Sequence, residues 1–92
     1  MIRGFRDRRT RQFFEGRSIT DFQGFASQAT RRLTILDNAV SLQDLARLPS
    51  NRLESLSGTR AGEYSIRINR QWRICFRWSD DGPYDIEIVD YH

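Results

Sequence analysis

The 92-residue chain contains no lysine: its 15 basic residues are all arginine, set against 12 acidic ones for a net charge of +3. It holds one cysteine, Cys75, and one histidine, His92. A lone cysteine has no internal disulfide partner, and the pair falls short of the ligand set of a structural zinc site, so no metal or cofactor is expected. Long apolar runs are missing too. The longest extend a few residues, against the roughly 20 that span a bilayer, and no apolar core follows the basic N-terminus as a signal peptide requires. A cytoplasmic protein with no membrane contact is the expectation. With no repeat, low-complexity tract or linker, residues 1–92 read as one domain around a single modest core.

What is present is arginine and aromatic residues. Hydrophobic residues make up 38% and aromatic ones 12%, enough for a folded core. Arginine stays charged at any working pH and offers phosphate a planar bidentate fork, which suits a nucleic-acid partner. Codon bias in a GC-rich genome explains the missing lysine equally well. Position is more telling: Arg3, Arg6, Arg8, Arg9, Arg11 and Arg17 crowd the first 20 residues, and Arg60, Arg67, Arg70, Arg73 and Arg77 surround the later strands. Two basic zones in a nearly balanced chain fit a polyanion footprint, with a solvated charged face as the alternative for either.

Periodicity divides the chain. "MIRGF" reads as an edge strand, and "RDRRTRQFFEG" as one or two helical turns ending at Gly16. That basic segment leaves three readings open: a helix, an arm that orders on ribosomal RNA, or part of a partner interface. Phe22, Ala26, Ala29, Leu33, Leu36 and Val40 form one helical stripe, with Thr20 or Asp21 available as cap. "SLQDLARLP" predicts a short helix with Asp44 in the capping-box position and Pro49 as a stop. The second half switches to period two: "RLESLSG" is a candidate strand, Tyr64, Ile66 and Ile68 alternate with polar residues, and so do Trp72, Ile74, Phe76 and Trp78. "SDDGP" is a turn, and Tyr84, Ile86 and Ile88 begin the last strand. Helices first and an antiparallel meander after them predict an α+β fold, with N-terminal helices on one face of a small, mostly antiparallel sheet and the other face partly open.

Register follows from the core positions. Ile68 opposite Trp72 requires a three-residue connection, Asn69 to Gln71, which sets Ile66 against Ile74, Tyr64 against Phe76, and Arg67 against Arg73 on the open face. Directly opposed like charges cost about 0.2–1 kcal/mol. An anion between them would offset this, as would splaying into solvent or carboxylates from the next strand. Continuing, Phe76 faces Ile86, Ile74 faces Ile88, Arg77 faces Asp85 and Arg73 faces Val89. Tyr91 then shares the arginine face, His92 lies at its edge, and Asp90 has core parity, suited to orienting its neighbours.

"RLESLSGTRAGEYSIRINRQWRICF", with "VDYH" at the end, resembles the HigB toxins, within the RelE-like ribonuclease toxins of bacterial toxin-antitoxin modules. A GraT-like subgroup with "RLESLSG"-type sequence and "GPxxxEIVDYH" is the nearest likeness. The resemblance implies a RelE-type fold and a growth inhibitor that cleaves mRNA in the ribosomal A site without a metal. It also implies a helix-turn-helix antitoxin, and a hetero-oligomer able to bind operator DNA through that antitoxin. The family links its C-terminal Asp, Tyr and His, and the arginine after the tryptophan, to catalysis. These match Asp90, Tyr91, His92 and Arg73. Well-studied members carry a histidine and a lysine where this chain has Glu54 and Ser57, so those contributions do not transfer.

Metal-free RNA cleavage needs a base for the 2′-hydroxyl, an acid for the departing 5′-oxygen and cations for the charge on phosphorus. Histidine is poised for proton transfer near neutrality, and arginines nearby favour a tyrosine phenolate. The expected roles are Arg73 on the scissile phosphate, Tyr91 and His92 sharing proton transfer and base stacking, and Asp90 fixing their position. Arg60, Arg67 and Arg70 are expected RNA contacts. The competing class is a non-catalytic module that inhibits by occupying RNA or the ribosome. Trp72 and Trp78 are expected in the core.

Overall fold

The computed structural model describes residues 1–90. Helix α1 (Arg8–Phe14) is followed by a 3₁₀ turn (Thr20–Phe25), α2 (Ala26–Asn38) and α3 (Leu42–Ala46). The strands β1 (Glu54–Ser55), β2 (Tyr64–Arg67), β3 (Trp72–Ser79) and β4 (Gly82–Asp90) form one antiparallel sheet in chain order. The expected α+β layering is present. Phe22, Leu33, Leu36 and Leu45 from the helical half meet Ile66, Ile74, Phe76, Ile86 and Ile88 from the sheet, all fully buried. Trp72 packs on this core through the Phe25 ring, 4.8 Å away, and the Phe22 ring, 5.9 Å away.

The β2–β3 register is the one expected: Tyr64 against Phe76, Ile66 against Ile74, Arg67 against Arg73. The Ile68 amide donates to the Trp72 carbonyl at 3.0 Å, closing the three-residue loop. Between β3 and β4, Ile74 faces Ile88 and Arg73 faces Val89, also as expected. Further along, a bulge intervenes. Asp85 adopts φ +52° and Arg77 pairs with Tyr84 instead of Asp85. One extra residue inverts the alternation, so Tyr84 shares the Arg77 face rather than the core side of Ile86 and Ile88.

Other departures have local causes. The long helix from Phe22 starts as a 3₁₀ turn, because Phe25 leaves helical geometry at φ −141°, and Asp21 salt-bridges Arg9 at 2.7 Å rather than capping. It ends early as well: Ala39 is extended and buried, while Val40 is 86% exposed. The chain there is already turning into α3, where the Ser41 hydroxyl accepts from the Asp44 amide and the Asp44 carboxylate accepts from the Val40 amide, a capping box shifted by one residue. The candidate strand "RLESLSG" shrinks to two residues because Arg52 is left-handed at φ 45°. "MIRGF" makes a single parallel bridge, Phe5 to Ile86, instead of a strand. Its Arg3 amide donates to the Pro83 carbonyl at 2.8 Å, and the Met1 carbonyl passes so close to Gly82 (φ +122°) that a Cβ there would sit 2.5 Å from its oxygen.

The second face of the sheet is less open than alternation predicts. Ser65 and Cys75 are fully buried. Over them lies Glu63, 2% exposed, with Arg60 at 3.0 Å, Arg6 at 3.4 Å and Arg77 at 4.0 Å. Glu87 adds ion pairs to Arg60 at 3.3 Å and Arg6 at 3.6 Å. Burial beneath this cluster pushes the Cys75 thiol up to about 11. α1 is tied to the sheet by the buried Thr10 hydroxyl, which accepts from the Ile88 amide at 3.1 Å.

Candidate RNA-binding groove

Arg73 is delivered by β3 to the end of the sheet that carries the 69–71 loop, and it is only 7% exposed. Its Nε donates to the Ser65 Oγ at 2.8 Å, and its Nη2 to the carbonyls of Arg52 at 2.6 Å and Ser65 at 3.4 Å. The Glu54 carboxylate lies 3.8 Å away. These acceptors resolve the like-charge opposition with Arg67, whose Nε donates to the Asn69 carbonyl at 3.0 Å. No bridging anion is required. The left-handed turn at Arg52 aims its carbonyl at Arg73, so a backbone feature that cuts β1 short also helps to fix the guanidinium.

Around Arg73 lies an open hollow of about 450 Å³ lined by Arg52, Glu54, Arg67, Asn69 and Arg70. Past Arg52 and Arg70 it continues into a second hollow of about 550 Å³, reached by Gln28, Arg32 and Ser50. Arg32 donates to the Asn51 Oδ1 at 2.7 Å and the Ser50 Oγ at 3.3 Å, and buried Asn51 is itself anchored to the Leu45 carbonyl. Burial, and then the neighbouring Arg31, lower the Arg32 pKa. Five arginines thus line one continuous groove with Glu54 as the carboxylate among them. Guanidinium forks in such density suit a phosphodiester backbone.

The arginines expected to contact RNA separate into two sets. Arg67 and Arg70 line the groove. Arg60 instead spans Glu63 and Glu87; beside it Arg77, which was not among them, faces Glu63 and Asp85. Glu63, three residues from Arg60, was the available sequence signal for that pairing. Arg32 lies in no motif or strand alternation, and Arg52, though it opens "RLESLSG", carries no signal there that it reaches the groove.

Asp90 ends β4 opposite Trp72 and accepts from the Gln71 Nε2 at 3.0 Å, at the same end of the sheet as Arg73. Tyr91 and His92 lie outside the described residues. Among the described residues, no group of His, Cys, Asp and Glu side chains could hold a metal ion. No helix among them is long and apolar enough to cross a membrane.

A family model described as the RelE-like toxin of the type II toxin-antitoxin system HigB matches residues 3–92. The chain belongs to the HigB-like toxin family. The toxin is 38% identical to Toxin HigB-1 of Vibrio cholerae over 78 residues, covering 83% of this chain and 82% of that protein. It is 30% identical to Endoribonuclease HigB of Proteus vulgaris over the full length of both. In structure it is similar to the YoeB–YefM complex from Staphylococcus aureus, with a TM-score of 0.59 at 19% identity over 100% of this chain and 98% of that one. That likeness shows the RelE-like α+β fold. The toxin's fold and family are those the sequence resemblance implied.

Proposed function

We propose that the toxin is a ribosome-dependent endoribonuclease that cleaves mRNA in the A site, with its chemistry in the groove around Arg73. The observation that carries this reading is the fixed, buried Arg73 guanidinium at the centre of an arginine-lined groove. A cation held by Ser65 and two carbonyls needs little reorganisation to meet charge developing on phosphorus. Arg52, Arg67 and Arg70 bind flanking phosphates. Glu54, the carboxylate lining the hollow beside Arg73, is placed to accept the 2′-hydroxyl proton where relatives use other residues. Tyr91 and His92 share the remaining proton transfer and base stacking, Asp90 positions them, and the product is a 2′,3′-cyclic phosphate. Arg60 acts on RNA through the carboxylates it orders, as a positioning residue.

The antitoxin of the module is, in this reading, a helix-turn-helix protein, and the complex of the two binds operator DNA through it. Residues 1–92 act as one domain in the cytoplasm. Message incubated with purified toxin, with and without programmed ribosomes, tests the reading. Cleavage only with ribosomes, leaving cyclic-phosphate ends and lost in Arg73→Ala, is expected. Intact message despite ribosome binding would overturn it in favour of inhibition by occupancy.

A further inference from the structure

The groove leaves one arginine cluster unused. At the other edge of the sheet, beyond β4, the N-terminal segment and α1 enclose a hollow of about 450 Å³ lined by Arg3, Arg6, Asp7, Arg8, Arg11 and Phe14. The fold takes two of these: Arg6 pairs with Glu63 and Glu87, and Asp7 lies 3.5 Å from Arg9. Arg9 itself holds Asp21 and stacks 4.9 Å from the Phe22 ring centre. Arg3, Arg8 and Arg11 are exposed, and none pairs with a carboxylate of the described residues; Arg3 reaches only the Met1 sulfur at 4.0 Å. Beside them Phe14 is 38% exposed, its ring tilted 5.5 Å from that of Phe5.

Three uncommitted guanidinium groups around an exposed aromatic ring combine the two elements that hold unpaired nucleic acid, cations for phosphate and a face for a base. We propose that this hollow is a second RNA-binding site, taking a phosphodiester segment with an unpaired base and separate from the groove at Arg73. Message and ribosomal RNA present the same chemistry. The site needs no cleavage, so it stands or falls independently of the nuclease reading.

The test uses the full chain carrying Arg3→Gln, Arg8→Gln and Arg11→Gln together, and a second variant, Arg8→Glu alone, in case the triple variant does not fold. Binding is titrated at several salt concentrations in two arms: a non-cleavable 2′-O-methyl oligoribonucleotide, and intact ribosomes. The triple variant is expected to bind at least about tenfold more weakly in one arm, with a salt slope shallower by about 2 for three lost phosphate contacts. Arg8→Glu is expected to shift binding in the same direction. Weakening with the oligoribonucleotide identifies the message strand, and weakening with ribosomes alone identifies ribosomal RNA. Unchanged affinity and slope in both arms would overturn the proposal. So would loss of antitoxin binding with both RNA arms unchanged, which would make the hollow a protein-docking surface.

Discussion

Arg73 must stay charged and fixed while surrounded by protein, and its acceptors explain how it does so. Ser65 is fully buried and gives it a hydroxyl at 2.8 Å, while the Arg52 carbonyl holds the other side at 2.6 Å. Hydrogen bonds to a charged group contribute about 1.5–3 kcal/mol. Ser65→Ala is therefore expected to lower single-turnover cleavage about tenfold while ribosome affinity stays unchanged, and Ser65→Thr to restore most of the rate. Equal rates in all three would remove Ser65 from the positioning of Arg73. Cys75 is the contrary case at this scale, a nucleophile kept inert. With its thiol pushed up to about 11 from 9.0, the folded chain keeps a proton that the unfolded chain releases between those values. Stability should then fall as pH rises from about 9 to 11. At pH 8 a thiol reagent should label the urea-unfolded chain and leave the native one unlabelled.

At the scale of elements, the joints matter more than the lengths. α1 touches the last strand through Thr10, whose hydroxyl takes the Ile88 amide two residues before Asp90. Thr10→Val keeps the volume but strands a buried N–H, a loss of about 1–3 kcal/mol, and should accelerate hydrogen exchange at Ile88 above all other β4 amides. Strand alternation was enough to read the β2–β3 register and hence the opposition of Arg67 and Arg73. It failed where one residue broke the period: Asp85 in a bulge moved Tyr84, and left-handed Arg52 shortened β1. Neither is glycine, so composition carried no warning. Arg32 and Arg52 join the groove only because α2 and the 49–52 turn pack beside β2, a tertiary fact with no local signature. The helical stripe holds at Ala29, Leu33 and Leu36 and stops short of Val40, where capping by Asp44 outweighs hydrophobic period.

Across the whole molecule, carboxylates separate the arginines that brace the fold from those that line the groove. Glu63, 2% exposed, gathers Arg6, Arg60 and Arg77 from three separate segments and roofs the second face of the sheet. Removing Glu63 takes the buried acceptor from three arginines that are each about a third exposed and keep Glu87 or Asp85. The loss is then about 1–3 kcal/mol, still a sizeable part of the stability of a small domain. Glu63→Gln should lower the urea midpoint accordingly, whereas Arg70→Gln on the exposed groove should leave it within about 0.5 kcal/mol. Because the roof closes on a desolvated Glu63 while Arg52 and Arg70 in the groove are exposed, dissolved salt acts on them unequally: counterions screen exposed charge more than a carboxylate buried among its partners. Raising ionic strength should strip RNA from the toxin long before it loosens the fold, so a salt titration separates the arginines that hold the protein together from those that hold its target.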